Sequence, residues 1–178
     1  MIATATLDPI EADECLKRMI YVIDKREQPT AALEKRLTYL QPCERETVNA
    51  GDYTAKTLLP NGEWYYLPVA LERKMSLTEI AGNLTRERTR FTAEFERAKE
   101  HGVKLYVIVE QATWENAYAG IYRSKMKPKS LIASLLTWGA RYDTPILFCE
   151  RSDTSGKLIR DILYYEMREH LERMIDYG

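Results

Sequence analysis

Three side chains in this sequence have the types and spacing that metal-assisted cleavage of a phosphodiester requires: Asp52, Glu72 and Lys74. Residues two apart in an extended strand share a face. Glu72 and Lys74 of Leu71-Glu72-Arg73-Lys74 therefore project together, and Arg73 points the opposite way. Asp52 directly follows Gly51, and if its segment pairs as a hairpin with the Glu72 strand, its carboxylate approaches Glu72 from next door. Oxygen donors of this kind suit Mg²⁺ or Mn²⁺. A lysine beside them can position or polarise a water, which completes a minimal hydrolytic set. Burial near a metal is expected to depress the Lys74 pKa. Arg73 has two readings, a buried salt bridge or a phosphate contact.

Composition sets the frame. The chain has 178 residues, of which 45% are hydrophobic and 30% charged, enough for one domain with a full core. No apolar run reaches membrane-spanning length, and the acidic start (Asp8, Glu11, Asp13, Glu14) lacks the basic and apolar blocks of a signal peptide. Cytoplasmic residence is the expectation. Cys15, Cys43 and Cys149 are widely separated, as are His101 and His170, so neither a disulfide framework nor a zinc centre is indicated. Gly156-Lys157 lacks the rest of a phosphate-binding loop, so no nucleotide cofactor is implied. With a net charge of −1, any nucleic-acid binding must come from a local basic patch.

The elements that would position these residues follow from periodicity and breakers. Met1 to Cys15 reads as an irregular acidic leader. Met19–Ile23 reads as a buried strand ending at Asp24, and Thr30 caps a helix bearing Leu33, Leu37 and Leu40. Glu46–Asp52 reads as a second strand. After the Pro60-Asn61-Gly62 turn, Trp64–Arg73 reads as a third, interrupted at Pro68. Ser76 opens a helical region that breaks near Gly82 and resumes through Phe91, Phe95 and Ala98, with His101-Gly102 as its end. Lys104–Val109 is a strand closing on Glu110, which reads equally as a site acid or a solvated one. Trp114–Tyr122 reads as a short helix and Ser130–Tyr142 as a longer one. Pro145–Cys149 is the last strand, and Ser155 or Asp153 caps a final helix. This order predicts an α/β sandwich with a mixed central sheet.

Three words in this order resemble the XPF-type nuclease domain of the PD-(D/E)XK superfamily: Val22-Ile23-Asp24-x-Arg26-Glu27, then Gly51-Asp52-Tyr53, then Glu72-Arg73-Lys74, followed by Leu77-Thr78-Glu79-Ile80. The resemblance covers about Tyr21 to Glu150. It implies a restriction-endonuclease-like three-layer sandwich and an Mg²⁺- or Mn²⁺-dependent DNA endonuclease. Its catalytic group would be Asp24, Asp52, Glu72 and Lys74, with Arg73 as an accessory and Asp24, Asp52 and Glu72 as metal ligands. Asp24 also reads as a loop-capping residue, and Glu46 is a weaker acid candidate. The family's last acid falls at Thr78 by strict counting, with Glu79 one place on.

The resemblance also implies branched DNA substrates such as flaps, forks or junctions, a role in repair or recombination, and dimerisation through the nuclease domain. The apolar final helix is a candidate surface for the last, or else a cover for the sheet. No tandem helix-hairpin-helix pattern follows Glu150, so the expected organisation is a leader (1–18), a free-standing nuclease domain (19–150) and a helix packed on it (151–178). Such free-standing domains are of the phage or mobile-element sort. Arg26, Arg90, Arg123, Lys125, Lys127 and Lys129 are the candidate DNA-binding cations, within a wider set that includes Arg86, Arg88 and Arg97. The rival functions are a non-catalytic DNA-binding or scaffold member of the family and a Holliday-junction-resolvase or restriction-like nuclease on the same fold.

Overall fold

The computed structural model describes residues 6–176. Its spine is a seven-stranded mixed sheet: β1 (Ile20–Asp24), β2 (Cys43–Glu46), β3 (Tyr53–Leu58), β4 (Trp64–Tyr66), β5 (Val69–Lys74), β6 (Lys104–Glu110) and β7 (Ile146–Cys149). The spatial order is β2-β1-β3-β5-β6-β7, with β4 paired to β3 off this path. β1 runs parallel to β2 and antiparallel to β3, while β5, β6 and β7 are mutually parallel. Seven helices are described: α1 (Pro9–Lys17), α2 (Ala31–Leu37), α3 (Leu77–Asn83), α4 (Arg88–Glu100), α5 (Trp114–Ala119), α6 (Pro128–Tyr142) and α7 (Ser152–Glu172).

Strand alternation builds the two cores of this three-layer sandwich. Ile23, Tyr53, Leu71 and Ile108 face Leu33 of α2 and Ile159, Leu163 and Met167 of α7. Ala70, Val107 and Val109 face Ile80 of α3, Phe91 and Phe95 of α4, and Leu131, Leu135 and Trp138 of α6. Phe91 stacks on Trp138 with ring centroids 5.1 Å apart, and Phe95 meets the same ring edge-on, a favourable aromatic geometry. The site strand β5 is thus held between two apolar layers.

The structure differs from the sequence reading at four places, each for a local reason. Residues 9–17 are helical, where an irregular leader was expected; residues 1–5 of that leader lie outside the described residues. Asp8 accepts from the backbone N–H groups of Ile10 and Glu11, and Glu11 accepts from Asp8 N, so the acids form a capping box. The strand expected at 46–52 is mostly loop: β2 ends at Glu46, Val48 N donates to Asp24 Oδ2 (3.1 Å), and Gly51 turns at φ 71°. The strand expected from Trp64 to Arg73 is two strands, because Pro68 has no N–H to continue a ladder. α7 is capped by neither Ser155 nor Asp153: its N-cap is Arg151, Asp153 pairs with Lys35, and Ser155 is buried within the first turn. Of the two readings of the final helix, the structure shows the cover: the apolar face of α7 packs on the sheet, with Ile159, Leu163, Met167 and Leu171 each at most 1% exposed, and is not free to serve as a dimer surface.

The sheet is narrowest in its connection between β3 and β5. Their ladder has one paired position, Tyr53 opposite Leu71. Beyond it β3 continues with β4 instead, and Thr54 Oγ1 donates to Val69 O (2.7 Å) to steady the fork.

Candidate active site

The fork opens a cavity of about 290 Å³ beside the end of β5. Asp52 reaches it because Gly51 brings the chain against β5: a Cβ on Gly51 would lie 2.9 Å from Leu71 O and 3.1 Å from Ala70 Cβ. Together with the left-handed φ, this close approach requires glycine. Asp52 N then donates to Leu71 O (2.8 Å), and its Oδ2 accepts from Arg73 N (2.8 Å). From β5, Glu72 and Lys74 enter the same cavity, and Lys74 Nζ donates to Glu72 Oε1 at 2.7 Å. The expected trio is therefore assembled.

Its electrostatics are those of an under-neutralised acidic cleft. Burial, then the charges of Glu72 and Glu27, push the Asp52 carboxyl well above the usual carboxylate range, despite the Arg73 N–H. Burial by itself would lower the Lys74 ammonium, as the sequence reading expected. The charge and hydrogen bond of Glu72, then the charges of Glu94 and Glu79, outweigh it, so the Lys74 pKa lies above its ordinary value. The depression expected of Lys74 beside a bound metal is thus opposed by the carboxylates that surround it.

Asp24 is buried and lines the cavity, but both of its oxygens are engaged. Arg26 grips them through Nε (2.8 Å) and Nη2 (2.9 Å), and the backbone N–H groups of Arg26 and Val48 donate to them as well. Burial pushes this carboxyl up, and the hydrogen bonds from Arg26 and Val48 bring it net below the usual range. The loop-capping reading describes these contacts. Glu46 lies elsewhere, bound to Lys56 and to the Tyr66 hydroxyl (3.0 Å). Glu79 lines the cavity wall and accepts from Met75 N at 2.6 Å, while Ser76 caps α3 by accepting from Glu79 N (3.2 Å).

Arg73 leaves the cavity for the opposite face of the sheet, as strand alternation predicts. Its Nη1 donates to Glu110 Oε2 (2.9 Å), while Arg36 Nη1 donates to Glu110 Oε1 (3.3 Å). Ser155 Oγ also donates to Glu110 Oε1, and Arg36 Nε donates to the Tyr53 hydroxyl (3.2 Å). Glu110 is 2% exposed, not solvated, because two guanidinium groups and a hydroxyl replace its water.

Among the candidate DNA-binding cations, Arg26 and Arg90 line the cavity. Arg123, Lys125, Lys127 and Lys129 are exposed around the start of α6. Arg123 N donates to Thr78 Oγ1 (3.0 Å), which ties this basic loop to the start of α3, next to Glu79.

One cavity residue, Glu94, was missed as a site member; Arg97, named in the wider set of cations, lines the cavity too. Glu94 and Arg97 enter from α4 with Arg90, at spacings i, i+4 and i+7 that place all three on one helical face. That spacing was readable in the sequence. Burial, then the Glu72 charge, push the Glu94 carboxyl up to about 7. Its Oε2 is buried without a hydrogen-bond partner, 4.0 Å from Lys74 Nζ.

No three His, Cys, Asp or Glu side chains among the described residues stand together as a preformed metal cage. The donors Asp52 and Glu72 nonetheless fit a hard divalent cation: both are carboxylates, and the Glu72 charge repels that of Asp52 in the buried cavity. Mg²⁺ commonly binds one or two carboxylates, with waters and substrate phosphate filling the rest of its octahedron.

Comparisons with known proteins agree with this architecture. The family model described as the ERCC4 domain matches residues 23–162. XPF from Aeropyrum pernix is similar in structure at a TM-score of 0.60 and 17% identity, over 82% of this chain and 60% of that one. The same protein in complex with DNA gives 0.62 and 18%, over 85% and 66%. This chain therefore spans less than two thirds of either solved chain, and at such identity the likeness is one of fold. No curated protein matches. With the family model covering most of its length, the chain belongs to the ERCC4 domain family, the XPF-type nuclease domain.

Proposed function

We propose that this chain is a divalent-metal-dependent DNA endonuclease whose catalytic group is Asp52, Glu72 and Lys74. The observation that carries the proposal is the convergence of these three side chains in one cavity of an ERCC4-family domain. Asp52 and Glu72 would hold Mg²⁺ or Mn²⁺, which when bound polarises the scissile phosphate and lowers the pKa of a water. Lys74 orients the attacking water and stabilises charge developing on the phosphate. Arg73 acts from behind the strand: anchored to Glu110, it fixes the backbone N–H that holds Asp52 Oδ2. Asp24, with both oxygens engaged, fixes the loop that carries Arg26 to the cavity rim. Its role as a direct metal ligand would need the Arg26 grip to open.

The DNA backbone would lie along Arg26 and Arg90 and the basic loop of Arg123, Lys125, Lys127 and Lys129. Branched DNA is the proposed substrate, supported by family membership, and the XPF structure solved with DNA supports DNA as the ligand. Homodimerisation through this domain is part of the same proposal, and the mass from light scattering tests it. Labelled linear, flap and four-way DNA should be incubated with Mg²⁺ or Mn²⁺. Cleavage of the flap or four-way DNA in preference to linear, lost in Asp52→Asn and Lys74→Ala with DNA binding retained, is expected. Failure to cut any of them with either metal overturns the enzyme reading.

A further inference from the structure

The Glu94 carboxylate is placed where a static fold gains little from it. Its Oε2 is enclosed without a hydrogen-bond partner, an arrangement that costs the group its lost hydration. Arg90 and Arg97, one turn to either side on α4, line the same cavity but form no ion pair with Glu94. The nearest cation is Lys74. Its Nζ lies 2.7 Å from Glu72 Oε1, 4.0 Å from Glu94 Oε2, and 4.8 Å from the centre of the Phe91 ring. Phe91 and Glu94 are three residues apart on α4, so the ring and the carboxylate share a face.

We infer that Glu94 is a second seat for the Lys74 ammonium: when Glu72 turns its oxygens to a divalent cation, Lys74 transfers to Glu94 and stays positioned in the cavity. This rests on the reading of the cavity as a divalent-cation site. Engagement of Glu72 would otherwise leave Lys74 buried with no anion at hand, and removing one partner of a buried pair is strongly unfavourable. Glu94 is the other carboxylate within ion-pair distance of Lys74 among the described residues. Closing 4.0 Å to the ~2.8 Å of a charge-assisted hydrogen bond requires a shift of only about 1 Å. The Phe91 face supports the ammonium in either seat through its ring quadrupole. Glu94 is thus a positioning residue acting through Lys74, not a ligand of the cation.

The test uses protein carrying ¹⁵N-labelled lysine, without DNA, with the Lys74 signal assigned by its loss in Lys74→Ala. In the unmodified chain, Mg²⁺ should shift the Lys74 ammonium signal while keeping it sharp. In Glu94→Gln, Mg²⁺ should release the group, and its protons should exchange with water about tenfold faster. Calorimetric Mg²⁺ affinity should stay within about threefold in Glu94→Gln and fall at least about tenfold in Glu72→Gln. With DNA, kcat should fall about tenfold in Glu94→Gln at unchanged KM, and Glu94→Asp should recover part of it. An affinity loss in Glu94→Gln equal to that in Glu72→Gln would make Glu94 a ligand and overturn the inference. So would a Lys74 signal that ignores bound Mg²⁺. Absence of Mg²⁺ binding in the unmodified chain would instead overturn the metal-site reading beneath it.

Discussion

β5 sends polar side chains to both faces of the sheet, and the two groups they join are opposites. On the cavity face, Asp52, Glu72, Lys74 and Glu94 form a cluster with more negative than positive charge and an unpartnered buried oxygen. On the other face, Arg73, Arg36 and Ser155 donate to Glu110 so that both of its oxygens accept hydrogen bonds, and the Tyr53 hydroxyl accepts from Arg36 Nε. The first cluster carries an excess of negative charge and gains from a ligand; the second is ion-paired within the fold, with only Arg73 Nε left buried without a hydrogen-bond partner among its described groups. One residue along a strand separates Glu72 from Arg73, yet substitutions on the two sides should fail in different ways.

The largest effect should come from the cavity face. Asp52→Asn should lower cleavage by about a thousandfold or more, while its metal-free melting temperature equals or exceeds that of the unmodified chain. The sign follows from linkage: a carboxyl whose pKa is raised by folding binds protons more tightly in the native state, so ionising it costs stability as pH rises through that raised value. Mg²⁺ should close the gap by stabilising only the chain that binds it. A destabilised metal-free Asp52→Asn protein would break the contrast between the faces. Glu110→Ala, on the closed face, should instead cost about 3–5 kcal/mol of stability in denaturant unfolding by stranding two guanidinium groups.

A smaller effect concerns pH. The Glu94 carboxyl sits at about 7 in the metal-free fold, above its ordinary range. Metal-free stability should therefore fall as pH rises from about 4.5 to 7 and then level off. Thermal melts across that window should show a shallower slope in Glu94→Gln. The smallest effect is at the rim: Arg90→Ala should weaken DNA binding and reduce the slope of log affinity against log salt by about 1, with stability unchanged.

Much of this was legible in residue order. The alternation Glu72-Arg73-Lys74 assigned its side chains to faces correctly, because period two is imposed by the strand backbone itself. The break between α3 and α4 and the end of α4 at His101-Gly102 were likewise readable from local breakers. The carboxylates that came from far along the chain were not. Glu94 is embedded in Arg-Phe-Thr-Ala-Glu-Phe-Glu-Arg, where acidic and basic residues read as a solvated helix face. What it faces depends on how α4 packs on β5. Glu110 is buried only because Arg36 and Ser155 arrive from α2 and α7. Arg36 shares a helical face with Leu33 and Leu40, and its burial was encoded in that spacing.

The fork in the sheet gives the site a mechanical character. Asp52 belongs to the half built from β1–β4 and Glu72 to the half built from β5–β7, and their strands share a single ladder pair. The distance between the two carboxylates is therefore a gauge of the seam: opening the seam separates them and closing it presses like charges together. A divalent cation held by both would act as a rivet across the joint. Amide hydrogens that span it, such as Asp52 N–H to Leu71 O and Arg73 N–H to Asp52 Oδ2, should exchange more slowly with Mg²⁺ present, while those inside either half keep their rates.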